Sequence, residues 1–223
     1  MGLGFRYQVT IGAGRQNLAV YPAPVFLIGL PERTELIVSP SLIYSNRTGT
    51  NGSALAPAAG AQDAGFGLQH VLSDRPWTQQ AVSAFATFPT GYPAGSSGFS
   101  AGVPAYAFAY TIAFGLGGAW GLSTSQGVLV SSGANASGSL QRYATYQPTV
   151  NLTYALSTLT TLLLEDQITA PTGPSAPTGN RALAGVQRTL SRNVILDVEA
   201  ELNLLPAPGL SQHALGAGVT VRL

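Results

Sequence analysis

The sequence predicts an all-β fold, in which residues 1–223 form a single domain: a twelve-stranded antiparallel up-and-down transmembrane β-barrel. Three observations lead to this prediction: apolar and polar residues alternate, short turns alternate with long loops, and charge is scarce. Only 9% of the residues are charged while 45% are hydrophobic, and the mean hydropathy is +0.23. Soluble domains carry about 25% charged residues, so this composition suits a surface in contact with lipid.

The predicted strands have the length that a tilted strand needs to cross the hydrocarbon layer, most of them about 9–12 residues. An even number of strands places both termini at one end of the barrel, and pairing of the first strand with the last leaves no open edge. The twelve strands are 3–13, 18–29, 34–45, 65–72, 78–88, 105–120, 126–133, 142–155, 160–169, 181–190, 194–205 and 213–223.

Alternation runs from the first strand to the last. In the first strand Phe5 and Tyr7 flank Arg6, and in the sixth strand bulky aromatic residues alternate with Ala and Thr. We predict that the small residues of the sixth strand line the lumen. In the last strand the alternation continues to Leu223, as it does in the C-terminal assembly signal of outer-membrane proteins.

The eleventh strand shows the pattern most clearly, and it sets an apolar face (Leu196, Val198, Ala200, Leu202) against an acidic one (Asp197, Glu199, Glu201). Such a strand fits two folds, because a soluble sandwich turns its acids to the solvent and a membrane barrel turns them to its lumen. The chain as a whole favours the barrel. A soluble outward face needs many more charged side chains than this lysine-free sequence has.

Two kinds of connection alternate along the chain. Five segments that combine Leu with Ser or Pro predict tight turns, at 29–36, 71–78, 121–128, 155–162 and 189–196. Leu122, Leu156 and Leu190 are spaced by 34 residues, which is the repeat of a hairpin array. The other connections are rich in Gly, Pro, Ser and Asn, at 46–65, 89–102, 133–141, 171–180 and 206–212. We therefore predict short periplasmic turns and long extracellular loops.

The sequence places a set of charged residues on the lumenal face. Two interpretations remain open for them: a salt-bridge network that braces or plugs the lumen, or a constriction that selects permeants. Arg6 and Arg222 are the predicted partners of the acids, since strands 1, 11 and 12 become neighbours on closure. Arg188, in the hairpin partner of the eleventh strand, is a third candidate. The complete set is Arg6, Glu35, Glu165, Arg188, Asp197, Glu199, Glu201 and Arg222.

Aromatic residues near the predicted tight turns suggest an interfacial belt. Trp77, Trp120 and Tyr154 occupy these positions, and Trp and Tyr are enriched where a membrane protein meets the headgroups. Ordinary strand packing is the alternative for each of them.

Enzymatic and metal chemistry finds little support. The two histidines, His70 and His213, are not in a metal-binding spacing, and no GxSxG motif is present. The chain has no Cys, and its net charge of +1 does not indicate a basic surface for nucleic acid. No run of about 18 apolar residues predicts a transmembrane helix. The start at Met1 shows no apolar signal region, and we expect that a signal peptide precedes the mature chain. We expect no enzymatic activity, no cofactor, no metal and no nucleic-acid partner.

Several short motifs resemble an outer-membrane β-barrel transporter family associated with the phenol-degradation meta-pathway. PVFLIGLPERTELIVSP (24–40) is similar to the early hairpin of that family, GFGLQHVLSD (65–74) to its next strand, and FPTG (88–91) to its Pro-Thr-Gly strand end. The resemblance implies a channel or transporter in the bacterial outer membrane that passes small, hydrophobic or aromatic molecules by passive diffusion. The lipid bilayer is then its partner, and we favour a monomer. The alternative is a structural or surface-binding barrel with a filled lumen and partner-binding loops.

Overall fold

The computed structural model describes residues 2–12, 15–20, 25–39, 42–47, 58–61, 63–91, 102–134, 140–171, 178–204 and 213–222. This part of the chain contains fifteen β-strands: β1 (Gly2–Gly12), β2 (Arg15–Val20), β3 (Val25–Leu30), β4 (Thr34–Ser39), β5 (Leu42–Arg47), β6 (Ala58–Ala61), β7 (Ala64–Arg75), β8 (Thr78–Phe88), β9 (Ala105–Gly117), β10 (Trp120–Ala134), β11 (Leu140–Ala155), β12 (Thr160–Pro171), β13 (Gly179–Ser191), β14 (Val194–Asn203) and β15 (His213–Arg222).

All described strands belong to one antiparallel sheet. From β7 to β15 each strand pairs with the next one in the sequence, and β7 continues through β4 and β3 to β1. The strands β2, β5 and β6 form a branch that starts from the second half of β1. The first strand also pairs with the last, since Gly2–Ile11 run antiparallel to Arg222–His213 without a register shift. As a result β1 has paired strands on both sides.

Five short turns connect the described strands, at 31–33, 76–77, 118–119, 156–159 and 192–193. Four of them lie within predicted turn segments. The prediction at 121–128 is wrong, because these residues belong to β10 and the chain reverses at Gly118–Ala119. Gly117 and Gly118 have φ angles of 88° and 60°, which glycine adopts without steric cost. The 34-residue spacing that begins at Leu122 therefore does not measure a turn-to-turn repeat.

The strand boundaries change accordingly. The predicted strands 105–120 and 126–133 become Ala105–Gly117 and Trp120–Ala134. The predicted long connections lie mostly outside the described residues. One of them, 46–65, contains the short strand β6 and the start of β7.

Large apolar side chains are exposed on one face of the sheet, which we call the outer face. Val198 is 60% exposed, and Phe108 and Leu164 are each 56% exposed. The strand registers place these side chains on one face together with most of the other exposed aliphatic and aromatic residues. Among the side chains that the structure describes, the only buried large hydrophobic one is Leu183. A soluble sandwich would show the reverse distribution, with its large apolar groups inside.

The opposite face, which we call the inner face, is polar or small along most strands. Thr145 is fully buried there, and the hydroxyl of Thr111 donates a hydrogen bond to Ser125 Oγ over 3.1 Å. Ser, Thr, Gln, Gly and Ala fill most of the remaining inner positions of β8 to β11. The sheet thus has the two-sided pattern that the alternation predicted, with its apolar side chains pointing outward.

Candidate functional site

Five charged residues of β12, β13 and β14 form a cluster on the inner face, which we call the charged arc: Glu165, Arg181, Asp197, Glu199 and Glu201. In register, Glu201 pairs with Leu183 and Leu183 pairs with Glu165, so these side chains share one face. Asp197 and Glu199 flank Val198, whose side chain is exposed on the outer face. The acids predicted for the lumen therefore point away from the apolar surface.

Arg181 joins two of these acids. Its Nη2 atom lies 3.6 Å from Glu165 Oε1, and its Nη1 atom lies 3.4 Å from Glu201 Oε2. The side chains of Arg181, Glu165 and Glu201 are 37%, 25% and 20% exposed, so water screens the ion pairs only in part. One guanidinium is thus shared by two carboxylates, so the trio contains one cationic and two acidic side chains.

The other two acids lie over glycines of the next strand. A Cβ atom on Gly218 would come within 2.6 Å of Asp197 Oδ1, and one on Gly216 would come within 2.7 Å of Glu199 Oε1. The missing side chains of β15 therefore make room for both carboxylates. Gly218 pairs in turn with Arg6 of β1, so the backbone register places Arg6 next in line to Asp197.

The predicted cationic partners differ in outcome. Arg6 and Arg222 occupy register positions on the inner face, and their side chains lie outside the described residues. The prediction for Arg188 is wrong, because Arg188 pairs with Leu196 on the outer face and is exposed near the 192–193 turn. Glu35 lies on the inner face of β4, where it pairs with Gln69, away from the charged arc.

Arg181 is the functional candidate that sequence reasoning missed. It lies at the start of the predicted strand 181–190, beside a Pro/Gly-rich loop, where the sequence pattern indicates only a strand boundary. The alternation of its strand was the available signal. Every second residue from Arg181 to Gln187 lies on the face that carries the acids of β14.

The inner face of β8 to β11 contrasts with the charged arc, because it carries no charged residue within the described strands. Most inner positions of β9 are Ala. One large aromatic side chain, Phe85, lies across the neighbouring strand, where a Cβ atom on Gly65 or Gly67 would clash with its ring. The glycines of β7 thus accommodate an aromatic ring on a neutral wall whose other side chains are mostly small, with Leu129 and Tyr143 as larger members.

The three predicted belt aromatics all lie beside short turns. Trp77 is part of the 76–77 turn and 58% exposed, and Trp120 follows the 118–119 turn and is 48% exposed. Trp120 pairs in register with Tyr154, and their ring centroids are 4.5 Å apart. Since the described short turns all join strands at the same end of the sheet, these rings form a group at that end.

The two histidines lie on different strands of the sheet. His70 lies on the outer face of β7, where its Nδ1 atom is 3.0 Å from Thr34 Oγ1. His213 is the first residue of β15, and its side chain lies outside the described residues. In the described ranges no group of three His, Asp or Glu side chains could hold a metal ion.

Within the part of the chain that the structure describes, no helix combines the length and the hydrophobicity that a membrane crossing requires.

Comparison with known proteins identifies the fold. No protein-family model and no curated protein matches the chain. An outer membrane channel from Pseudomonas putida F1 superposes with a TM-score of 0.76 at 12% identity, covering 99% of this chain and 93% of that one. The NanC porin gives 0.69 at 10% identity, covering 99% and 100%. The CymD monoaromatic hydrocarbon channel gives 0.54 at 7% identity, covering 100% and 88%.

At these identities the likeness bears on the fold alone. The chain is an all-β antiparallel up-and-down sheet with the architecture of outer-membrane β-barrels. The resemblance to the transporter family of the phenol-degradation meta-pathway stays a prediction.

Proposed function

We propose that this protein is a twelve-stranded β-barrel of the bacterial outer membrane that lets small molecules diffuse passively through its lumen. The observation that carries the proposal is the reversed distribution of side chains. Large apolar groups such as Val198 and Leu164 are exposed on the outer face, while the charged arc lies on the inner face. This is the arrangement of a wall between lipid and an aqueous interior.

The strand registers support a count of twelve. Asn17 of β2 pairs with Arg47 of β5, and Phe26 of β3 pairs with Val38 of β4, in one common register. We therefore treat β2 with β3 as one strand of the barrel and β4 with β5 as another. The strands β6 and β7 follow β5 and β4 with a one-residue offset, as at a β-bulge, and form a third combined strand. Fifteen segments then become twelve strands, and the β1–β15 pairing supports closure.

The position of the two inner walls supports a permeation path. In a closed ring of twelve strands, β9 and β10 lie across the lumen from β15 and β1. The small, neutral side chains of β9 therefore face the side on which the charged arc lies. A permeant passes between a polar charged wall and a wall of Ala, Ser and Thr. Phe85 adds an apolar surface, and one structural neighbour is a monoaromatic hydrocarbon channel. Both support small molecules, including hydrophobic or aromatic ones, as permeants.

A second candidate function is a structural or surface-binding barrel with a filled lumen. The observation that favours it is the Arg181 ion-pair trio, which covers Leu183 so that only 8% of this side chain is exposed. A brace of this kind reduces the bore. The charged arc then acts as a structural network and the loops carry the function.

Conductance separates the two functions. We expect refolded protein in a planar bilayer to show stepwise single-channel currents. Replacing Ala109, on the inner face of β9, with Trp narrows the lumen and lowers the unitary conductance. The matched variant Ala84→Trp, on the outer face of β8, leaves the conductance unchanged. A fully inserted barrel that carries no current would contradict the channel and support the filled barrel.

A further inference from the structure

The outer face of β8 to β12 contains polar side chains at positions where lipid contact calls for apolar ones. Tyr110 Oη donates a hydrogen bond to Gln80 Oε1 over 2.9 Å, and Tyr146 Oη donates one to Gln126 Oε1. An exposed carboxylate, Asp166, lies on the outer face of β12. In contrast, the outer positions midway along β14 and β15 are apolar and exposed, including Val198 and Leu215.

Two of these polar groups have hydrogen-bonding capacity that the described residues leave unused. Gln126 Nε2 donates one hydrogen bond to Thr124 Oγ1 over 3.1 Å, which leaves its second amide hydrogen available. The side-chain carboxylate of Asp166 forms neither an ion pair nor a hydrogen bond with any described residue. The first group is a donor and the second an acceptor, so they are complementary to each other.

Both groups lie near the middle of the membrane in the proposed barrel, on which this inference rests. Gln126 is six residues beyond Trp120 on β10, which is about 15 Å along the membrane normal for a strand tilted by about 40°. Asp166 is four residues beyond Leu162, which shares a register row with Trp120 and Tyr154. Because the strands are tilted, each step along this row to the next strand adds about 3 Å of height. Asp166 therefore lies about 16 Å from Trp120 along the membrane normal, at about the same depth as Gln126.

Lipid tails offer no hydrogen-bond partner at that depth, so another protein surface has to supply it. Two copies of one barrel insert in the same orientation, and a twofold axis that relates them runs along the membrane normal. Groups that lie at the same depth in the two copies can therefore contact each other across the interface. An axis near β11 places β10 of one copy opposite β12 of the other, and Gln126 opposite Asp166.

We propose that the outer faces of β10, β11 and β12 bind a second copy of this chain, with Gln126 of each copy donating a hydrogen bond to Asp166 of the other. Val150 of β11, 50% exposed and flanked in register by Thr124 and Asp166, lies at the centre of this interface. The protein is then a homodimer, in contrast to the monomer that we favoured from the sequence.

Cysteine cross-linking tests the dimer, because the native chain has no Cys. Val150→Cys and Val198→Cys are matched variants, since both residues are exposed valines of the outer face at about the same depth. In oxidised outer membranes we expect Val150→Cys to give a disulfide-linked band of twice the monomer mass and Val198→Cys to give none. Asp166→Leu in the Val150→Cys background is expected to lower the cross-linked fraction by about tenfold or more, whereas Asp166→Asn, which still accepts a hydrogen bond, retains it.

Each outcome decides between the alternatives. Heat-modifiable gel migration first establishes that each variant is a folded barrel. Protein that is missing from the outer-membrane fraction would contradict the proposed function itself. A folded, membrane-inserted Val150→Cys barrel without a cross-link, with a cross-link to a protein of another mass, or with a yield equal to that of Val198→Cys would overturn the dimer alone.

Discussion

At the residue scale, the side chain of Arg181 links acidic residues of two strands on the inner face. Its guanidinium lies between Glu165 and Glu201, which otherwise repel each other across the intervening strand. The pairs are partly solvated, so their contribution to stability is modest. The position also gives Glu165 of β12 and Glu201 of β14 a common partner, which Arg188 on the outer face does not provide.

Replacing Arg181 with Gln removes this shared cation and leaves two carboxylates facing each other. We expect the free energy of unfolding in urea and detergent to fall by about 1 kcal/mol, because partly exposed ion pairs contribute on this order. The triple variant Arg181→Gln, Glu165→Gln, Glu201→Gln should recover most of the loss. Arg192→Gln, in the exposed 192–193 turn, serves as the control. An Arg181→Gln barrel as stable as the Arg192→Gln barrel would contradict the brace.

Individual elements show where sequence patterns suffice and where they do not. Alternation predicted which side chains of β14 share a face, because a period of two fixes this grouping. It could not locate the β9–β10 turn, where Gly and Ala weaken the contrast between faces and the Ser-rich 121–128 segment imitates a turn. It also missed Arg181, since the ion pairs of this residue join strands that only the register aligns.

The corrected turn gives a test at the element scale. Gly118 has a φ of 60°, which costs a residue with a Cβ about 1–2 kcal/mol. We expect Gly118→Ala to lower the free energy of unfolding by about that amount. Gly115→Ala is the matched control, because nothing lies within 4 Å of the position that its new methyl group would take and its φ is not left-handed. If the two variants are equally stable, the chain does not turn at Gly118 in the conformation described.

At the scale of the whole molecule, the proposed membrane location predicts that a charged substitution has different effects on the two faces of the sheet. Val198 is already 60% exposed, so a soluble protein should accept Arg at this position with little change. In a lipid-facing wall the same substitution costs about 2–4 kcal/mol near the midplane. Gln187→Arg is the matched control, because Gln187 lies on the inner face and pairs in register with Asp197. We expect Val198→Arg to reduce the heat-modifiable, folded fraction in outer membranes and Gln187→Arg to leave it unchanged. If both variants assemble like the native protein, the outer face does not contact lipid and the proposed barrel is wrong.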